Sequence, residues 1–147
     1  MTNKKLKYIL LGFVFWFLVD WATVKGFHLS YFAIPLMGYI LRLITFTLYP
    51  LIFAYVAFNR AWSEKKLFIL TIISAFLIEI VWLKNAILYT TFPHFIIFIP
   101  AAICVYSILT FFPLWIINQE VGKNKKKMFF LFIVLVIITI ISMRVQS

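Results

Sequence analysis

The sequence predicts an all-α, polytopic membrane helical bundle of five transmembrane helices, with its N-terminus cytoplasmic and its C-terminus outside. Three observations carry this. Of the 147 residues, 65% are hydrophobic and only 12% charged, where a soluble domain is about 45–50% apolar and about 25% charged. A small fold in water leaves much of its area exposed, so it could not hide so apolar a chain. The apolar residues also gather into five long runs, and the basic residues between those runs are heavier on alternate sides.

The runs cover residues 8–24, 32–58, 67–83, 95–117 and 128–143. A helix rises ~1.5 Å per residue, so about 20 residues cross a ~30 Å hydrocarbon core. The first run follows Lys4, Lys5 and Lys7 as a signal peptide would. It continues through Trp16 and Trp21 with no small-x-small cleavage site, so it is expected to stay in the protein as a span. The second is longer than a crossing needs, and Pro50 is expected to kink it or let it tilt. The fourth carries Cys104 behind Ala101 and Ala102 and ahead of Ser107, small residues that read as packing. The fifth is short, with Lys127 and Arg144 able to reach outward from its ends. Being almost uniformly apolar, it is expected at the periphery or against another protein. Nothing resembles a linker, so one membrane domain over 1–147 is expected.

Orientation follows from the cations. One side holds Lys4, Lys5, Lys7, Arg60, Lys65, Lys66, Lys123, Lys125, Lys126 and Lys127; the other holds Lys25, Lys84 and Arg144. Short loops rich in Lys and Arg stay cytoplasmic, which puts the N-terminus inside. The net charge of +10 therefore reads as topology and contact with anionic headgroups, and no nucleic-acid partner is expected. The run from Lys123 to Lys127 fits an anchor for the last helix or a recruiter of anionic lipid or an acidic partner. Trp62, Trp82, Tyr89 and Trp115 fall near the expected interfaces, where aromatic belts form.

Ionisable groups at membrane depth cost roughly 2.5–3.5 kcal/mol each on insertion scales and normally face the protein interior. Three stand out: Asp20, Arg42 and Glu79. Counted from the outer boundary, both carboxylates lie ~6–8 Å deep and Arg42 ~15 Å, and a helical Arg side chain leans toward its N-terminus, here outward. Arg42 could thus reach the level of both carboxylates. Helical spacing puts Gly12, Trp16, Asp20 and Thr23 on one face, Gly38, Arg42, Thr45 and Tyr49 on another, and Thr71, Ala75, Glu79 and Trp82 on a third. Stripes of small, polar and aromatic residues let helices approach and hydrogen-bond in lipid. The three ions form the candidate site, with Thr45, Tyr49, Trp82, Lys84, His28 and His94 as supporting residues.

Three roles stay open for this cluster: a structural ion-pair network, a proton- or cation-binding carboxylate in a transport path, and an Arg42 anchor for an anionic headgroup or substrate. His28 and His94 fall in the outer loops, and with Asp20 and Glu79 they would make a zinc-like donor set. With no local histidine spacing they read as interfacial residues, and neither metal nor cofactor is expected. Cys104 has no visible base or electropositive setting. There is no Ser-His-Asp set, Gly-rich phosphate loop or H-E-x-x-H motif, so no catalytic residue is assigned and the reading leans against an enzyme.

The stretch Tyr49-Pro50-Leu51-Ile52-Phe53-Ala54-Tyr55, then Lys65-Lys66, Leu77-Ile78-Glu79, Lys84 and Tyr89, resembles the CBO0543 family of small membrane proteins from Gram-positive spore formers. The likeness runs from Leu48 to Leu114. It implies a similar length and helix number, a lone Glu late in the third span, and no established activity. Separately, Phe58-Asn59-Arg60-Ala61-Trp62 is similar to a motif of GtrA-type four-helix proteins, which are linked to moving lipid-linked sugars.

The expectation is a non-enzymatic protein of a bacterial plasma membrane, acting through helix packing with lipid, a membrane-protein partner or copies of itself. The alternative is a small carrier for protons, cations or lipid-linked substrates through Asp20, Arg42 and Glu79. An intramembrane lipid-modifying enzyme comes third.

Overall fold

The computed structural model describes residues 3–26, 36–82 and 94–117, together with positions 90, 92, 126, 130, 133, 134 and 137. Within the described residues the regular structure is entirely helical. Helix α1 is Asn3–Gly26 and α2 is Leu36–Ala54, which runs on as a π-helical turn, Tyr55–Asn59. Helix α3 is Glu64–Phe76, followed by a second π-helical turn, Leu77–Trp82, and α4 is His94–Ile116. Of the fifth expected helix, only Phe130, Ile133, Val134 and Ile137 are described, each helical.

Two described helices are long and apolar enough to cross a membrane: Leu36–Asn59, with mean hydropathy 1.8, and Phe98–Ile116, with mean hydropathy 1.9. Leu, Ile, Val and Phe supply that apolarity. Their Thr and Ser residues survive there because each hydroxyl can bond the carbonyl four residues back. Thr45 Oγ1 does so to Leu41 O at 2.9 Å, Ser107 Oγ to Ile103 O at 2.6 Å and Thr110 Oγ1 to Tyr106 O at 2.9 Å. Prolines also sit inside these helices: Pro50 in α2, Pro100 and Pro113 in α4. Each removes one N–H from the helical ladder.

The chain forms two compact units, Met1–Ser63 and Glu64–Ser147. In the first, α1 and α2 make an antiparallel hairpin. Along α1 the contacts climb through Lys5, Tyr8, Gly12, Trp16 and Asp20, while their partners on α2 and its extension descend through Asn59, Phe58, Pro50, Phe46 and Arg42. Its core is aromatic. Trp16 stacks on Phe46 at 5.7 Å and meets Tyr49 edge-on at 5.2 Å, and Tyr49 stacks on Phe53 at 4.4 Å. Such offset and edge contacts are the favoured geometries of aromatic pairs. One position makes this crossing tight: a Cβ built on Gly12 would stand 2.7 Å from Pro50 Cβ. Only glycine fits there.

The hairpin ends in a helix-capping turn. Ala61 adopts φ 49°, and Trp62 N–H reaches back to Val56 O at 3.2 Å. A left-handed residue followed by a back-reaching N–H is related to the Schellman cap, in which glycine is the usual left-handed residue; here the reach is six positions, one more than in that motif, after the wider π-helical turn. In the second unit, α3 buries Leu67, Thr71 and Ala75, a four-residue repeat. Its core continues on α4 in Tyr106, Ser107, Leu109, Thr110 and Leu114.

Candidate functional site

The stripe of α1 that holds Gly12, Trp16 and Asp20 packs toward α2, and the hairpin register sets Asp20 opposite Arg42. Arg42 Nη1 donates directly to Asp20 Oδ1, the two side chains retaining 25% and 18% of their exposure. Two opposite charges in contact form a neutral unit, which removes most of the cost of holding either in a medium of low dielectric. Beside the pair lies an open, apolar cleft of about 250 Å³ between the two helices, bordered by Phe17, Trp21, Tyr39, Leu43 and Phe46.

The supporting residues on α2 serve packing. Thr45 is buried with its hydroxyl on Leu41 O, and Tyr49 is buried in the aromatic stack.

Glu79 belongs to the second unit and has its own partner there. It lies in the π-helical turn Leu77–Trp82, and Tyr106 Oη donates to Glu79 Oε1 at 2.9 Å. Tyr106 is 2% exposed, so α4 holds its hydroxyl in place. Two helical turns away, Thr71 Oγ1 and Thr110 Oγ1 lie 3.0 Å apart, both fully buried. Each hydroxyl also contacts a backbone carbonyl, Leu67 O or Tyr106 O. Two protons thus serve three contacts, so the pair can exchange donors without moving a heavy atom.

The third expected stripe holds for Thr71 and Ala75 and then breaks. Trp82 is 41% exposed. The reason is the π-helical turn: an i→i+5 repeat turns less per residue than an α-helix, so three steps beyond Glu79 no longer return to its face.

His28 and Lys84 lie outside the described residues, and His94 opens α4 with its side chain outside them. Among the described residues no group of His, Cys, Asp and Glu is arranged to hold a metal ion.

Tyr106 was missed by sequence reasoning, although a signal existed. Tyr106, Ser107 and Thr110 form a polar stripe at i, i+1, i+4 in the fourth apolar run, comparable to the stripes that singled out the ions. Lys5 Nζ, which donates to Asn59 Oδ1 at 2.9 Å, and Arg60 Nε, which donates to Tyr55 Oη at 3.1 Å, were likewise not foreseen as partners.

No known protein family, curated protein or solved structure matches the chain. The resemblances drawn from the sequence rest on the quoted residues alone.

Proposed function

We propose that the chain is a five-span integral protein of a bacterial plasma membrane, N-terminus inside, that works without catalysis through helix packing with lipid or protein partners. Asp20 and Arg42 are the clamp of its first helix pair. The observation that carries this is the inverted polarity of α1. Leu6, Leu10, Phe13, Val14, Phe17 and Leu18 point outward, 38–58% exposed, while Gly12, Trp16 and Asp20 lie against α2. A helix in water does the reverse, turning its apolar stripe inward. In lipid the outside must be apolar, and small or polar residues are what bring helices together.

Topology is the test. In a Cys104→Ala background, single cysteines at Lys5 and Lys126 should react with a membrane-impermeant maleimide only after permeabilisation. A cysteine at Lys25 should react in intact cells. Labelling that separates Lys5 from Lys126 would sink the arrangement.

A second reading, a small proton or cation carrier, is favoured by one observation: Glu79 occupies a π-helical turn and accepts a hydrogen bond from a buried tyrosine. π-Helical turns often accompany functional positions. Purified protein in liposomes distinguishes the two readings. A carrier passes protons or monovalent cations, and both Glu79→Gln and Tyr106→Phe slow the flux. A packing protein passes none, with or without the substitutions.

A further inference from the structure

We infer that the joined ends of α1 and α2 form a docking site for the phosphate of an anionic lipid headgroup, built from Lys5, Asn59 and Arg60. The inference rests on the membrane reading above and concerns a different part of the hairpin from the ion-pair clamp.

Lys5 and Asn59 are 54 positions apart in the chain, yet the ammonium of Lys5 donates to the side-chain carbonyl of Asn59 at 2.9 Å. Edge contact of Tyr8 with Phe58 at 5.9 Å holds the same two helix ends together. Arg60, the next residue, is also held. Its Nε donates to Tyr55 Oη at 3.1 Å, and its guanidinium carbon stands 5.6 Å from the centre of the Tyr55 ring. That leaves both terminal amino groups of the guanidinium without a partner among the described residues.

The two cations are thus positioned by neutral groups, an amide and a phenol, where a carboxylate would have neutralised them. In residues 1–63 Asp20 is the sole acid, and it is taken by Arg42 at the other end of the hairpin. Lys4 and Lys7 add charge close by and are exposed. A fork of donors beside a compact ammonium matches the oxygens of a phosphate group. The basic, positive-inside end of a membrane hairpin faces the leaflet that carries anionic lipid.

Native mass spectrometry of the purified full chain in neutral detergent, titrated with phosphatidylglycerol and with phosphatidylcholine, tests this. Phosphatidylglycerol should bind in preference. Lys5→Gln and Arg60→Gln should each weaken it about fivefold, the effect of removing roughly one interfacial charge. Asn59→Ala keeps every charge but releases Lys5, and should weaken it measurably too. Lys7→Gln removes an equal charge from beside the site, without a fixed contact to it, and should weaken binding clearly less than Lys5→Gln. All four residues are partly or fully exposed, so folding survives, which circular dichroism confirms. If Lys7→Gln weakens binding as much as Lys5→Gln, or Asn59→Ala has no effect, the attraction is diffuse and the site does not exist. If millimolar inorganic phosphate displaces the lipid, the site serves free phosphate and the headgroup assignment falls. Release of the chain from alkali-washed membranes would overturn the membrane reading instead, and so separates the two failures.

Discussion

The two helix pairs are held by different chemistry. In Met1–Ser63, α1 and α2 meet through an ion pair, a stack of aromatic rings and a glycine pressed against a proline. In Glu64–Ser147, α3 and α4 meet through hydroxyls and small residues: Thr71 with Thr110, Tyr106 with the carboxyl of Glu79, and Ala75 in the seam. The contrast teaches how each joint should fail. Losing one member of an ion pair leaves the other as an uncompensated charge, whereas losing one of two hydroxyls leaves a group that still reaches its own backbone carbonyl. The first joint is brittle and the second forgiving.

The largest expected effect lies at the brittle joint. Arg42→Ala or Asp20→Ala alone should cost about 3 kcal/mol, the lower end of what breaking a buried pair costs, because both side chains keep some exposure. The double substitution Asp20→Asn with Arg42→Gln should recover most of that loss. Unfolding in detergent, followed by tryptophan fluorescence, measures both. A double-variant loss equal to the sum of the two single losses would show that the charges do not act on each other.

Next comes the close crossing. Gly12→Ala should destabilise the hairpin by about 1–3 kcal/mol, since its new Cβ overlaps Pro50 and a packed interface yields little. Pro50→Ala keeps the opposing Cβ and so should restore little of the loss. Full tolerance of Gly12→Ala would mean that the helices slide apart freely, and the joint would no longer be brittle.

The smallest effect belongs to the forgiving joint. Thr71→Val should cost only about 0.5–1 kcal/mol, the lower part of the net worth of one hydrogen bond, because Thr110 still donates to Tyr106 O. The same unfolding assay reads it. A loss matching that of Arg42→Ala would erase the distinction between the two units.

How much of this could be read from the chain alone follows from which interactions are local. Periodic apolar runs foretold the four described helices, because burial or lipid contact along a helix repeats every three to four residues. Alternation of small, polar and charged residues marked the faces of Asp20, Arg42 and Glu79, since an ion on an otherwise apolar helix has few tolerable directions. Helix rise put both Asp20 and Glu79 at the level of Arg42; Asp20 pairs with it, and Glu79 accepts from Tyr106.

Three things were decided elsewhere. That Glu79 takes its hydrogen bond from Tyr106 depends on α3 lying beside α4, a choice between helices that no periodicity encodes. That Trp82 leaves the stripe depends on the turn Leu77–Trp82 bonding i→i+5, a hydrogen-bond register to which apolar sequence is nearly indifferent. That Lys5 meets Asn59 and Gly12 meets Pro50 depends on the register of two antiparallel helices, set by how side chains interlock. Composition and spacing specify what each helix needs; the close fit of one helix on another specifies which neighbour supplies it.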